Sequence, residues 1–281
     1  MSHVAIVTDS VSDLPPDIAA KQGIVVVPLT VTFGAESFRV NVDLDTDQFW
    51  ARMTAPDAPF PKTAAAAPGD FLTVFQKAFD DGADAIVCVD CSADLSATYQ
   101  SATIAAGMLP DREIHVVDSR SASMGIGMLA QLAAELAAEG VSAAEIARVL
   151  EERKLDQELY VAVDTLEYLK RGGRISGTRA AVGTMLSLKP VITIKHGVVD
   201  VTERIRTRAK ARERILELLT ARPLERAVVL HTTNADVETF QAQFLARSGL
   251  DASKVQTMVV SASVGPHLGP GCVGAVVMHR R

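Results

Sequence analysis

The sequence predicts an α/β fold in two α/β lobes, the first a mostly parallel sheet flanked by helices and the second a mixed sheet with a hairpin. Two observations carry this prediction. In the first half, short Val/Ile-rich runs alternate with Ala-rich windows, and continuous apolar strands separated by helices imply a parallel sheet covered on both faces and wound with right-handed crossovers. In the second half, two β-rich runs are separated only by His196-Gly197, and so short a connection joins antiparallel neighbours. The character changes after a helical window over 142–153, which divides the chain into lobes over 1–155 and 156–281.

In order, the first lobe reads as a strand over 4–9, a helix over 15–22, a β-rich run over 24–33, a helix over 69–80, a strand over 85–89, a helix over 98–109, a strand over 114–118 and a helix over 123–138. Helix punctuation agrees: Pro68 stands at a first helical position, Gly140 closes a helix, and Ser142 with Glu145 three residues on reads as a capping box for the next. The second lobe reads as a strand over 160–163, a helix over 165–170, a glycine break, a helix over 177–187, and the hairpin strands over 191–194 and 198–202. A long charged helix beginning near Thr202 follows, then a strand over 227–231, a helix over 234–247 and a strand over 257–261, with a final apolar strand over 272–278.

Composition narrows the function classes. Hydrophobic residues make up 48% and charged residues 22% of the 281, which excludes a disordered or fibrous chain, and aromatics at 5% leave the core to Ala, Val, Leu and Ile. The net charge of −6 repels a nucleic-acid backbone, so no nucleic-acid partner is expected. Neither a basic region followed by an apolar leader nor an apolar window of membrane-spanning length is apparent, so the expected location is the cytoplasm, with no membrane span. Cys88 and Cys91 have C-x-x-C spacing, but at a strand end and not at a helix start; with Cys272 they read as small buried hydrophobes.

Ligands of open α/β sheets sit beyond the carboxyl ends of strands, and polar residues gather at such ends here: Thr8-Asp9-Ser10, Thr63, Ser92 to Thr98, and Asp118-Ser119. Ser96 and Thr98 begin the helix over 98–109, whose unpaired N–H groups favour a carboxylate or phosphate; the plain alternative is that Ser96 only caps that helix. The Asp-Ser pairs read as loop-fixing groups. Lys170, Arg171 and Arg174 surround Gly172-Gly173, a composition that can wrap an anion or simply be solvated. Near the end, His267 lies in G-P-H-L-G-P-G, held by residues of restricted or special backbone. Gly125-Ile-Gly127 is rejected as a dinucleotide fingerprint, since it falls in a helical window without a preceding strand. Basic residues at 204, 206, 208, 210, 212 and 214 read either as a docking face or as an ordinary solvated one.

These stretches, taken together, resemble the DegV family of bacterial fatty-acid-binding proteins, which includes the fatty-acid-binding subunits of fatty acid kinase. The resemblance rests on VTDSVSDLP over 7–15, PKT over 61–63, LSATYQSA over 95–102, VVDSRSASMGIGMLA over 116–130, LEYLKRGGRIS over 166–176, LKPVI over 188–192 and PHLGPGCVG over 266–274, in order along nearly the whole chain. It implies one long-chain fatty acid buried between the lobes, its carboxylate held by Thr63 and Ser96 with His267 nearby, and Ser92, Thr98 and Arg174 as supporting candidates. It implies no cofactor, no metal and no catalytic residue. It also implies a separate ATP-dependent kinase subunit that phosphorylates the presented carboxylate, with the basic stretches at 170–174 and 204–214 as its docking face. Two departures stand out: the family continues P-K-T with Ser-Gln-Pro where this chain has Ala64 to Ala67, and has Gly where this chain has Ala97.

The competing enzyme reading is a serine hydrolase of lipid esters, with Ser96 as nucleophile, His267 as base, and Asp9 or Asp118 orienting the ring. It lacks the G-x-S-x-G elbow. A phosphotransferase reading lacks both a phosphate-cradling glycine loop and clustered metal-binding carboxylates.

Overall fold

A computed structural model describes residues 3–175, 188–233 and 236–281. Strand β1 (Val4–Asp9) is buried along nearly its whole length because it lies inside a parallel sheet; it is followed by α1 (Pro16–Lys21), with proline at its start, and β2 (Ile24–Val27). The β-rich run over 24–33 does not form one strand. Pro28 and Leu29 break it, and β3 (Thr30–Phe33) leaves for a separate antiparallel sheet with β4 (Glu36–Arg39) and β5 (Lys62–Ala64). Between β4 and β5 lies α2 (Thr46–Met53), opened by a capping box of Asp45 and Gln48.

The remainder of the first sheet follows the predicted alternation: α3 (Pro68–Asp80), β6 (Ala85–Asp90), α4 (Thr98–Gly107), β7 (Glu113–Asp118), α5 (Met124–Ala138) and α6 (Ala143–Arg153). Its order is β2-β1-β6-β7, all parallel. Ser142 accepts from the Glu145 N–H, as its capping pattern predicts.

The second sheet begins with β8 (Gln157–Ala162), and α7 (Glu167–Arg171) follows it. The helix expected over 177–187 lies outside the described residues. Strands β9 (Lys189–Lys195) and β10 (Val198–Ile205) form the expected hairpin, with His196 and Gly197 both at positive φ, 52° and 78°, as a turn matched to strand twist requires. Strand β10 continues through Ile205, so the charged helix, α8 (Arg208–Leu219), starts later than predicted and Arg204 and Arg206 are not on it. Then come β11 (Leu224–His231), α9 (Val237–Ser248), β12 (Val255–Val259), the single turn α10 (Gly265–Leu268) and β13 (Val273–His279). The order is β10-β9-β8-β13-β11-β12, antiparallel except for the β11–β12 pair.

The two large sheets share a core. The largest hydrophobic cluster combines Ile6, Val87 and Leu129 with Val161, Ile192, Leu230 and Val276, so apolar faces of both sheets are buried against each other and against α5. The small β4-β3-β5 sheet packs over one end through Phe49 and Trp50. Their rings meet edge to face at 5.0 Å, and the Trp50 indole N–H donates to the Val260 carbonyl at 2.8 Å. That anchor places β5, and with it Thr63, beside the end of the second sheet.

Candidate functional site

Where the loops of the first sheet face β8, β9 and β11 of the second, a narrow cavity is lined by Thr63, Ser96, Ser123, Arg174, Ser263 and His267 at polar positions, and by Leu29, Leu95, Val161, Leu169, Ile192 and Leu230 among its apolar ones. Counting its open mouth, this slot encloses about 730 Å³ of atom-free space. Arg174 is the one side chain among the described lining residues that carries charge at neutral pH, since burial, reinforced by the Arg174 charge, pushes His267 down to about 4.

Each polar residue reaches the slot by a different route. Thr63 sits on β5 in register with Val31 of β3. Its hydroxyl lies 2.9 Å from His267 Nε2, while His267 Nδ1 is buried with no hydrogen-bond partner among the described residues. With the ring proton on Nε2, histidine donates to Thr63 and leaves the Thr63 hydroxyl proton for the cavity. Ser96 accepts from the Thr98 backbone N–H at 3.3 Å in a local serine turn just before α4, whose N-cap is Ala97 and not Ser96, and it lines the slot. Arg174 is braced by two carbonyls, donating from Nε to Leu95 at 3.2 Å and from Nη1 to Gly172 at 2.7 Å. The slot therefore combines the hydroxyls of Thr63, Ser96, Ser123 and Ser263, the His267 ring and one guanidinium with walls that are mostly apolar, a chemistry suited to an anionic head on a long apolar tail.

Of the supporting candidates, Arg174 lines the slot, whereas Ser92 and Thr98 do not. The Ser92 hydroxyl donates to the Gly197 carbonyl at 2.7 Å and ties the β9–β10 hairpin to the first sheet. Thr98 is fully buried behind Ser96. Lys170, Arg171 and Arg174 do not wrap one anion: Arg174 faces inward, while the Arg171 guanidinium lies 3.9 Å from the centre of the Phe60 ring, which in turn stacks on Tyr168 at 6.0 Å. No sequence pattern marked that stack, because its members are a hundred residues apart. The basic run of α8 is also partly neutralised: Arg208 pairs with Asp164, Arg212 with Asp236, and Arg214 with Glu203 and Glu217.

The hydrolase arrangement is not formed. His267 Nε2 is engaged by Thr63, and among the described residues no carboxylate orients Nδ1. Asp9 is held by the Val11 and Cys91 N–H groups, and Asp118 by those of Ala93 and Arg120. Both aspartates fix loops, as their strand-end positions suggested. The three cysteines are free and buried. Burial raises all three thiols, Cys272 to about 12, which is the opposite of a reactive thiolate. Gly125 and Gly127 lie buried within α5 and not in a phosphate-binding loop. Among the described residues no cluster of metal-ligating side chains occurs, and no helix is long and apolar enough to cross a membrane.

Comparison with known proteins yields one family. A model described as an uncharacterised protein of the DegV family matches residues 3–280. A DegV domain-containing protein of Caldanaerobacter subterraneus is 33% identical over 280 residues, covering 98% of each chain. Among solved structures, a DegV family protein of Thermus thermophilus, described as binding fatty acid, superposes with a TM-score of 0.90 at 37% identity over 99% of this chain and 100% of its own. The Bacillus subtilis DegV structure, described as a fatty acid binding protein, gives 0.87 at 30% identity over the whole of both chains.

Proposed function

Since the chain belongs to the DegV family, we propose that it binds one long-chain fatty acid in the slot between its two large sheets, with the lobes divided at about residue 155. The observation that carries this reading is the joint presence of Thr63, Ser96 and Arg174 in the lining of one mostly apolar slot. The carboxylate accepts from the Thr63 and Ser96 hydroxyls beside the Arg174 charge, and His267 fixes the Thr63 hydroxyl. The tail lies along Val161, Leu169, Ile192 and Leu230. Each buried methylene contributes about 0.8 kcal/mol, so the tail supplies most of the affinity and the head group sets orientation.

Mass spectrometry of an organic extract tests the reading. Purified protein is expected to release about one equivalent of a long-chain fatty acid, and a Thr63→Ala/Ser96→Ala variant much less. An empty wild-type protein would count against it.

The finer reading is that the protein is no enzyme itself but presents the carboxylate to a separate ATP-dependent kinase subunit, which makes the acyl phosphate. The mouth is flanked by α7, whose Lys170 and Arg171 are exposed, and these charges support docking of an acidic surface better than the ion-paired residues of α8. Charge reversal at Lys170 is expected to lower acyl-phosphate formation by such a kinase at least several-fold without lowering fatty-acid affinity. Unchanged phosphorylation would remove α7 from the docking face.

A further inference from the structure

The slot carries more hydroxyls than one carboxylate uses. Thr63 and Ser96 serve the head group in the reading above, yet Ser123 and Ser263 also line the slot, 2% and 3% exposed. One network holds them both. The Ser123 hydroxyl donates to Asp13 Oδ2, the Ser261 N–H donates to Asp13 Oδ1 at 3.0 Å, and the Ser263 N–H donates to Ser261 Oγ at 3.2 Å. Ser123 is thus joined to Ser263 through one carboxyl and one serine. Ser123 precedes α5, but its side chain makes no capping bond there.

Counting protons gives the two hydroxyls opposite roles. A serine hydroxyl has one proton and two lone pairs. The Ser123 proton is committed to the Asp13 carboxylate, so toward a ligand Ser123 only accepts. Ser263 Oγ lies 2.8 Å from Ser10 Oγ, which already accepts from the Leu29 N–H at 2.8 Å. Either hydroxyl can be the donor between them. Were it Ser263, the Ser10 proton would have no acceptor among the described residues, at a side chain that is buried and outside the slot lining, and an orphaned buried donor is costly. Ser10 is therefore the donor, and the Ser263 proton is left for whatever fills the slot.

We infer that the slot selects an acyl chain bearing a hydroxyl: Ser263 donates to the hydroxyl oxygen and Ser123 accepts from its O–H. This rests on the fatty-acid reading above. A plain methylene at that place leaves one buried donor and one buried acceptor unpaired. A ketone takes the Ser263 proton but leaves Ser123 without a donor. An alcohol satisfies both, and a site that hydrogen-bonds a hydroxyl rejects the analogue lacking it far more strongly than an apolar wall distinguishes one methylene more or less.

The test is competition calorimetry at pH 7.5 with palmitate, with monohydroxylated palmitates that place the alcohol at successive positions along the chain, and with the ketone matching each alcohol. One alcohol is expected to bind at least about tenfold tighter than palmitate and than its own ketone, as one unpaired buried group implies. Ser263→Ala removes the donor and Ser123→Gly the acceptor, glycine being suited to the φ of 55° at that position; each should erase the alcohol's advantage over palmitate. Asp13→Asn adds a readout that misfolding does not produce: the asparagine amide donates to Ser123 and releases the Ser123 proton to the slot, so the ketone should gain on the alcohol. A preference for the alcohol that survives both Ser263→Ala and Ser123→Gly overturns the proposal. Wild-type protein that binds neither palmitate nor any alcohol overturns the fatty-acid reading along with it, whereas palmitate bound as tightly as every alcohol overturns the hydroxyl selection alone.

Discussion

Alanine in place of Gly172 is expected to remove most of the affinity for a fatty acid while leaving the fold in place. Gly172 follows the last residue of α7 with φ of −75°, so alanine suits its backbone, and alanine is the better helix former. What the site excludes is the side chain: a Cβ there would lie 2.1 Å from His267 Nδ1 and 3.0 Å from Cε1. The imidazole must swing away and release Thr63, which it now meets at 2.9 Å. Losing the Thr63 hydrogen bond to a charged head group, about 1.5–3 kcal/mol, weakens binding by about ten- to a hundredfold. Calorimetric titration with palmitate measures the loss, and a thermal melt beside it should move little. Because the effect runs through His267, adding His267→Ala to Gly172→Ala should produce no further loss. Wild-type affinity in Gly172→Ala would mean that the ring can yield without disturbing the head site.

What the residues made legible, and what they did not, follows from the range of the forces involved. Strands such as β1 and β6 announce themselves, since Val4–Asp9 and Ala85–Asp90 are buried on both faces and read as unbroken apolar runs. The small sheet escaped notice because its strands are three or four residues long and half-exposed. β3 and β4 form a short local hairpin, and β5 is defined by a partner far away in sequence, Thr63 pairing with Val31. Local sequence context and the family resemblance single out Thr63, Ser96, Arg174 and His267, and all four line one slot. Ser92 looked like its neighbours but turns toward the hairpin, a contact made over 105 residues that no local pattern encodes. The value of Gly172 was hidden for the same reason: a pair of glycines beside basic residues suggests an anion loop, while the requirement comes from a histidine that arrives from the far end of the chain.

Asparagine in place of Asp13 is expected to stabilise the protein at neutral pH by about 2–3 kcal/mol. Asp13 is buried, accepts from the Ser261 N–H at 3.0 Å through Oδ1 and from the Ser123 hydroxyl through Oδ2, and adopts φ of 52°. Asparagine satisfies the same neighbours, its oxygen accepting from Ser261 and its amide donating to the Ser123 hydroxyl, and it tolerates the left-handed conformation. The difference is charge. Burial raises Asp13 from 3.8 to about 6, and two units of raised pKa correspond to about 3 kcal/mol. A carboxyl raised in the folded state contributes its full stability below about pH 4, loses it as the pH rises to about 6, and carries the penalty unchanged above that. Asp9 behaves alike. His267 opposes them, because its value of about 4 means that stability is lost as pH falls from 6.5 toward 4. Two carboxyls against one imidazole leave the wild-type protein less stable at pH 6 than at pH 4 on these groups, and Asp13→Asn should flatten that slope. Urea denaturation at pH 4 and at pH 7.5 checks it: the variant should match the wild type at the lower pH and exceed it at the higher. Asp13→Ala, which removes both acceptors and places alanine at positive φ, should be destabilised at both. A variant no more stable than wild type at pH 7.5 would mean that the ionised carboxylate is held there without penalty, its two hydrogen bonds offsetting burial in full.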